Sequence, residues 1–434
     1  MERIAIGMLG LGTVGAGVVR LLEGAEGRIA RRAGVRIDLK AAIVRDPRRP
    51  RDCSLSKDRI GTDPRRVLDD PEIRVVIEAI GGTDPALAWT LAALSAGKDV
   101  VTANKALLAE HGPEIFAQAR RFGRCVAFEA SVAGGIPIVQ SLAVGLVANQ
   151  IQSLAAIVNG TCNFILSSMG VSGVTYEAAL AEAQHLGYAE ADPTLDVDGT
   201  DTAHKLAILA QIAFGASVKT VDIPRVGIDQ LQAADIRYAA ELGYTVKLLA
   251  LAKEGELGLE LRVAPTLVRR GTPLAEVKGP YNAVRIVGDA VGDTLFYGRG
   301  AGSMPTASSI VADLVDVLIG RSALTFRSLG LWPGIGEPLT LAGSAQIRSR
   351  YYLRFSIADQ PGVIGSVAQI LGKHGISIAS VIQHDPGDDD HPNAPVPLVI
   401  MTHSAVELAV RAAIEEIDSL GSVRSPSVCL GVEE

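Results

Sequence analysis

Short apolar runs alternate with stretches of helical spacing through the first third of the chain. Residues 4–9 form the first run, which ends in Gly10-Leu11-Gly12-Thr13-Val14-Gly15, and a helix is expected over 15–23. Runs at 37–44, 75–80, 100–103 and 125–129 follow, with helices expected at 86–96 and 113–122. Strands alternating with helices predict an α/β fold, a Rossmann-type doubly wound parallel sheet, over residues 1–135.

After residue 135 the pattern changes. Longer strands at 151–158, 257–263 and 282–287 mix with several helices. This predicts an α+β substrate and dimerisation domain on a mixed sheet over 136–303. A helix at 305–319, apolar on one face, is expected to return to the first domain. Residues 321–349 read as a linker, punctuated by Trp332-Pro333-Gly334 and Glu337-Pro338. The final segment, 350–434, runs strand, helix, strand, strand, helix, strand, which is the ferredoxin-like order. Within it, 384–394 carries Asp385, Asp388, Asp389 and Asp390 and reads as a solvated excursion.

Composition narrows the function. A chain of 434 residues allows two or three domains. Aromatic residues make up only 4%, so Ala, Val, Leu and Ile must fill the core. A net charge of -7 gives no reason to expect nucleic acid or an anionic membrane as partner. No uncharged apolar run reaches the roughly 18 residues that read as a bilayer span. Cys53, Cys125, Cys162 and Cys429 form no C-x-x-C pair, which argues against a zinc site or a disulfide framework. The opening Met1-Glu2-Arg3-Ile4 has no signal-peptide layout, so a cytoplasmic location is expected.

The glycine run follows a strand and opens a helix, the context in which G-x-G-x-x-G binds a dinucleotide. Gly10 permits the turn, Gly12 lets backbone approach a pyrophosphate, and Gly15 lets helix and strand pack closely. The second strand ends in Arg45, where an NAD-selective fold usually has an acid, and Arg48, Arg49 and Arg51 follow. Guanidinium groups suit a 2′-phosphate, so NADP is favoured, while Asp46 leaves NAD open.

Ligands of such sheets bind beyond the carboxyl ends of the strands. That rule places Gly81, Gly82 and Thr83 near the cofactor, together with Asn104 and Lys105. Asp201 and Lys205, four apart, share one face of a helix. An amine at Lys205 can supply the proton that a carbonyl oxygen needs when hydride reaches its carbon. Asp201 suits orienting that lysine or binding a substrate amine, and Glu190 is another carboxylate suited to an ammonium group. Asp192, Asp196 and Asp198 do not complete an EF-hand loop, so no divalent metal is expected there.

Five segments together resemble homoserine dehydrogenase: Gly10 to Gly15, Thr102-Ala103-Asn104-Lys105-Ala106-Leu107, Val158-Asn159-Gly160-Thr161-Cys162-Asn163, Gly187-Tyr188-Ala189-Glu190-Ala191-Asp192-Pro193, and Asp201 to Lys205. The resemblance implies reversible NAD(P)-dependent interconversion of L-homoserine and L-aspartate 4-semialdehyde, a step in threonine, methionine and isoleucine synthesis. It implies Lys205 as acid/base residue and Lys105 as a contact to cofactor and substrate. Glu190 and Asp201 would hold homoserine, and Thr13, Val14, Gly187, Glu190 and Gly302 would border the cofactor. It further implies a sodium ion on Glu129 and the carbonyls of Val132, Gly134 and Ile136. Asp359-Gln360-Pro361-Gly362-Val363 resembles the first loop of an ACT domain, which implies a regulatory amino-acid site with threonine as candidate effector. A homodimer or homotetramer is expected. A dehydrogenase for another amino acid and a non-catalytic amino-acid sensor are the alternatives.

Overall fold

The computed structural model describes residues 1–329, 331, 340–384 and 395–433. The breakers at 332–334 and 337–338 and the acidic segment 385–394 lie outside the described residues. The chain divides into two compact units. One comprises Met1–Gly160, Asp201–Ile223 and Tyr281–Leu339; the other comprises Thr161–Thr200, Pro224–Pro280 and Thr340–Glu434.

The first unit carries a six-stranded sheet. Its strands are β1 (Arg3–Leu9), β2 (Arg36–Ile43), β3 (Ile60–Gly61), β4 (Ile73–Glu78), β5 (Asp99–Thr102) and β6 (Val126–Ala127), in the order β3-β2-β1-β4-β5-β6. Every pairing is parallel. The central strands are continuous apolar runs because helices cover both faces: Ile4, Ile6, Met8 and Leu9 of β1 and Ile73, Val75, Val76 and Ile77 of β4 are all buried. This is the doubly wound sheet that the alternation predicts. Glu78, also fully buried, ends β4 among these apolar residues.

Helix Lys105–Arg121 begins eight residues earlier than the proline suggests. The Asn104 side chain caps its start by accepting the Leu107 N–H, and Pro113 lies inside. Buried Leu107, Leu108, Ile115, Phe116 and Ala119 hold the helix to the core through the proline. The cap makes Lys105 the first helical residue, directly after β5. The expected strand at 125–129 is only Val126–Ala127, and Glu129 falls in a short turn, Glu129–Ser131.

The same unit holds β7 (Ile151–Ile157), β10 (Tyr281–Gly288) and β11 (Gly292–Arg299), with β10 antiparallel to both neighbours. Helix Ser303–Leu318 packs against helix Thr13–Gly24: the Ser303 hydroxyl donates to the Thr13 carbonyl at 2.7 Å. Gly17 sits at this crossing, where a Cβ would meet the Ser303 backbone oxygen at 2.7 Å.

In the second unit β8 (Tyr244–Gly255) and β9 (Gly258–Arg269) form a long antiparallel hairpin. The C-terminal part contains β12 (Arg348–Ser349), β13 (Tyr351–Ile357), β14 (Ile378–Ile382), β15 (Val396–Thr402), β16 (Ala405–Val406) and β17 (Val423–Glu433). Four of these give the ferredoxin-like order β17-β13-β15-β14, and β12 pairs with β16. Alternate residues Tyr351, Leu353, Phe355 and Ile357 face a core closed by Val363, Val367 and Leu371 of one helix and Val410, Ala413 and Ile417 of the other. The opposite face of β13 is polar yet buried. Arg354 donates to Asp235 at 2.6 and 3.1 Å, and the Tyr352 hydroxyl to the same carboxylate at 3.2 Å. Asp235 also closes a capping box at the start of helix Ala233–Glu241. The end of β17 runs parallel to β9, pairing Gly431 with Thr266 and Val432 with Leu267.

Among the described residues no helix is long and apolar enough to cross a membrane.

Candidate active site

The glycine turn joins β1 to helix Thr13–Gly24. Gly10 has φ of 98°, a left-handed conformation, and it lies against the Ala79–Ile80 backbone too closely for a side chain. Gly15 packs so that a Cβ would meet the Gly10 carbonyl at 2.6 Å. Gly12, by contrast, is exposed with open space where a side chain would be. No side chain caps the helix it precedes, and no acid occupies the first turn. Backbone N–H groups and the positive end of the helix therefore face an accessible surface, which fits a pyrophosphate.

Thr13 and Val14 open this helix, and Gly302 immediately precedes Ser303, whose hydroxyl reaches Thr13. The structure thus brings the glycine turn and Gly302 together. Arg45 is exposed just past β2. Arg51, the last arginine of the basic run, donates to the carbonyls of Leu11 (3.0 Å), Arg49 (2.7 Å) and Asp46 (2.6 Å). It therefore ties the basic loop to the glycine turn. Gly81, with φ of 82°, follows β4.

The lysines meet on one carboxylate. Asp201, in the first turn of helix Thr200–Phe214, is buried and accepts from the Lys105 Nζ at 2.6 Å and the Lys205 Nζ at 2.7 Å. Its Oδ2 also accepts from the Asn159 amide at 2.9 Å, and the Lys205 Nζ donates to the Val158 carbonyl at 2.6 Å. Burial alone would push the Asp201 carboxyl up. The charges of Lys205 and Lys105, with hydrogen bonds from both, hold it well below the usual carboxylate range. Asp201 is thus an anion already shared between two ammonium groups, an arrangement that orients lysines. The Lys205 side chain is 12% exposed and that of Lys105 40%, so the second is the more open of the pair.

Gly187 and Glu190 belong to the second unit, both exposed. The neighbouring Tyr188 carbonyl accepts from the Thr161 hydroxyl at 2.7 Å, and the Glu190 carbonyl from the Gln184 amide at 3.1 Å. Asp192 and Asp198 act as turn caps, accepting from the N–H and hydroxyl of Thr194 and Thr200 respectively.

The Glu129 carboxylate accepts the N–H groups of Val139 and Gln140, each at 2.8 Å. Burial pushes this carboxyl up to about 7, against the pull of those backbone hydrogen bonds. The segment that follows is curled by Ala133 and Gly134, at φ of 53° and 51°. The Gly134 carbonyl accepts from Ser309, and that of Ile136 from the Ile138 N–H.

Two residues carry no role in the sequence reading, Glu78 and Asn159. An acid ending an apolar strand is a visible signal for the first. Asn159 stood inside the Val158 to Asn163 segment without a role.

Residues 10–129 match the family described as "Homoserine dehydrogenase, NAD binding domain", residues 137–315 "Homoserine dehydrogenase", and residues 351–422 "ACT domain". A homoserine dehydrogenase of Pseudomonas aeruginosa is 47% identical, with 100% of both chains covered. The crystal structure of a homoserine dehydrogenase from Thiobacillus denitrificans superposes with a TM-score of 0.91 at 44% identity, covering 100% of this chain and 99% of that one. A hyperthermophilic archaeal homoserine dehydrogenase mutant, solved in complex with NADPH, gives 0.62 at 25% identity over 73% of this chain and 97% of that one.

Proposed function

We propose that this chain, which belongs to the homoserine dehydrogenase family, performs its chemistry through the Lys105–Asp201–Lys205 cluster. Its activity is the NAD(P)-dependent interconversion of L-homoserine and L-aspartate 4-semialdehyde. The observation that carries the residue-level reading is the buried carboxylate holding two lysine ammonium groups at 2.6 and 2.7 Å. The nicotinamide cofactor supplies or takes up the hydride. Gly10, Gly12, Thr13, Val14, Gly15 and Gly302 bind its pyrophosphate side, with Gly81 and Gly187 at the border. Arg45 is our candidate for a 2′-phosphate and hence for an NADP preference.

In reduction, the Lys205 Nζ gives a proton to the aldehyde oxygen as its carbon accepts hydride; in oxidation it takes that proton back. Asp201 keeps Lys205 oriented and charged. Lys105 steadies substrate and cofactor from the end of β5. Asp201 already accepts from both lysines and from Asn159, and Glu190 together with the open acceptor position of Asp201 is our candidate for the homoserine ammonium group. The loop 129–136 is the candidate sodium site. With the Glu129 carboxylate bound to backbone N–H groups, carbonyl oxygens of Glu129, Val132, Gly134 and Ile136 are the donors that suit a hard cation.

The test is Lys205→Ala assayed with homoserine at the nicotinamide absorbance: turnover is lost while reduced cofactor still binds by fluorescence. Undiminished turnover would remove Lys205 from the mechanism. A panel of other hydroxy amino acids, with both cofactors, separates homoserine from the alternatives.

The ACT segment is our candidate threonine site, with Gly362 (φ 93°) opening helix Val363–Lys373 as the place for a carboxylate. Threonine then inhibits the intact chain, and Gly362→Ala weakens that inhibition. Cys53, Cys125, Cys162 and Cys429 are thiols rather than disulfide halves, which fits a reducing compartment, and we propose a cytoplasmic homo-oligomer.

A further inference from the structure

We propose that Glu78 is a positioning residue for the reaction. Through one hydrogen-bonded network it fixes both the loop after β4 and the lysine that opens helix Lys105–Arg121. The inference rests on the reading above that Lys105 and the glycine turn serve the chemistry.

Glu78 stands where three strands end. It is aligned with Leu9 at the end of β1 and with Thr102 at the end of β5. Its side chain is 0% exposed. A carboxylate there is costly unless its oxygens are satisfied, and three donors from two segments, the loop after β4 and the end of β5, satisfy it. Oε1 accepts from the Ile80 N–H at 2.9 Å and the Asn104 amide at 3.4 Å. Oε2 accepts from the Thr102 hydroxyl at 2.5 Å. That hydroxyl in turn accepts the Asn104 N–H at 3.0 Å.

The network ends on groups that matter for function. Asn104 donates to the Gly82 carbonyl at 2.6 Å and caps the helix whose first residue is Lys105. The backbone fixed by Glu78 at Ile80 is the surface against which Gly10 packs. A single carboxylate therefore sets the separation between the glycine turn, the Gly81–Gly82 loop and Lys105. An apolar side chain would fill the same volume but hold none of these three. Misplacement by about 1 Å away from the chemistry can cost ~10²-fold in rate, so this hub acts on alignment as well as on stability.

Glu78→Gln keeps the shape and turns one acceptor into a donor. In the intact chain, with homoserine as substrate, kcat per cofactor-binding site is expected to fall about tenfold. The KM for the nicotinamide cofactor should rise, with thermal unfolding still well above the assay temperature. A hub serving stability alone lowers the melting temperature and leaves kcat per site untouched. A folded Glu78→Gln enzyme whose kcat per site falls less than about threefold therefore overturns the proposal. If Glu78→Gln does not fold, Thr102→Val decides. It cuts the link between Glu78 and the Asn104 N–H, and the same threshold of about threefold applies to it. Parent enzyme and Lys205→Ala are run alongside. A parent inactive on homoserine defeats the functional reading, whereas an active parent with unimpaired Glu78 and Thr102 variants defeats only this inference.

Discussion

Replacing Asp201 with Asn tests the arrangement of the active lysines most directly. The change keeps the shape and removes the one negative charge between two ammonium groups. Lys205 has only 12% of its side chain exposed, so water compensates little on that side. Lys105, 40% exposed, is partly rehydrated, and its share must be discounted. Breaking a buried ion pair by removing one partner costs roughly 3–5 kcal/mol. With the exposed lysine discounted, about 3 kcal/mol is the expected loss of stability at neutral pH, measured by urea unfolding. The sign with pH follows from the lowered carboxyl of Asp201. Its stabilisation is complete above the ordinary carboxylate range and fades as pH drops through the folded value. Parent and variant should therefore converge in stability in acid. For catalysis, loss of orientation worth about 3 kcal/mol corresponds to a fall in kcat of roughly 10²-fold. The alkaline limb of the reductive rate should also move to lower pH, because removing an anion disfavours the charged amine. A variant with parental kcat and an unmoved limb would refute the claim that this carboxylate sets the lysines.

Two further outcomes concern the second unit. Lys247 is fully buried, donating to the Asn163 side chain at 2.9 Å and to the Val277 carbonyl, and burial lowers its amine to about 8. Relative to Lys247→Met, the parent should gain about 3 kcal/mol of stability between roughly pH 8 and 10.5, where only the unfolded chain keeps the proton; a flat difference across that window would contradict it. Arg354→Met leaves Asp235 buried without its guanidinium and should cost about 3–5 kcal/mol in urea titrations. An unchanged midpoint would show that the pair contributes nothing net.

The sequence made the sheet of the first unit legible because its buried strands are uninterrupted Val, Ile and Ala runs. Helix Glu26–Ala33 is not legible in the sequence, since Gly27 and three arginines mask its buried face of Ile29, Ala30 and Ala33. The start of helix Lys105–Arg121 is hidden in the sequence because Pro113 is a strong local signal, whereas Asn104 acts as a cap only once β5 delivers it there. The proximity of Asp201 to Lys205 follows from helix geometry. That of Lys105 does not, since it depends on how β5 and helix Thr200–Phe214 are brought together. The Asp235–Arg354 pair joins positions remote in sequence, with no periodicity to announce it.

The closing strand of the chain has a consequence for how the protein is made. β9 needs β17 as its parallel neighbour, so Thr266 and Leu267 must wait for Gly431 and Val432. On the ribosome the β8–β9 hairpin therefore emerges with a bare edge long before its cap is synthesised, a hazard for sticking to other nascent chains. Slowed translation late in the message should lower the yield of soluble enzyme even though every catalytic lysine has already been made.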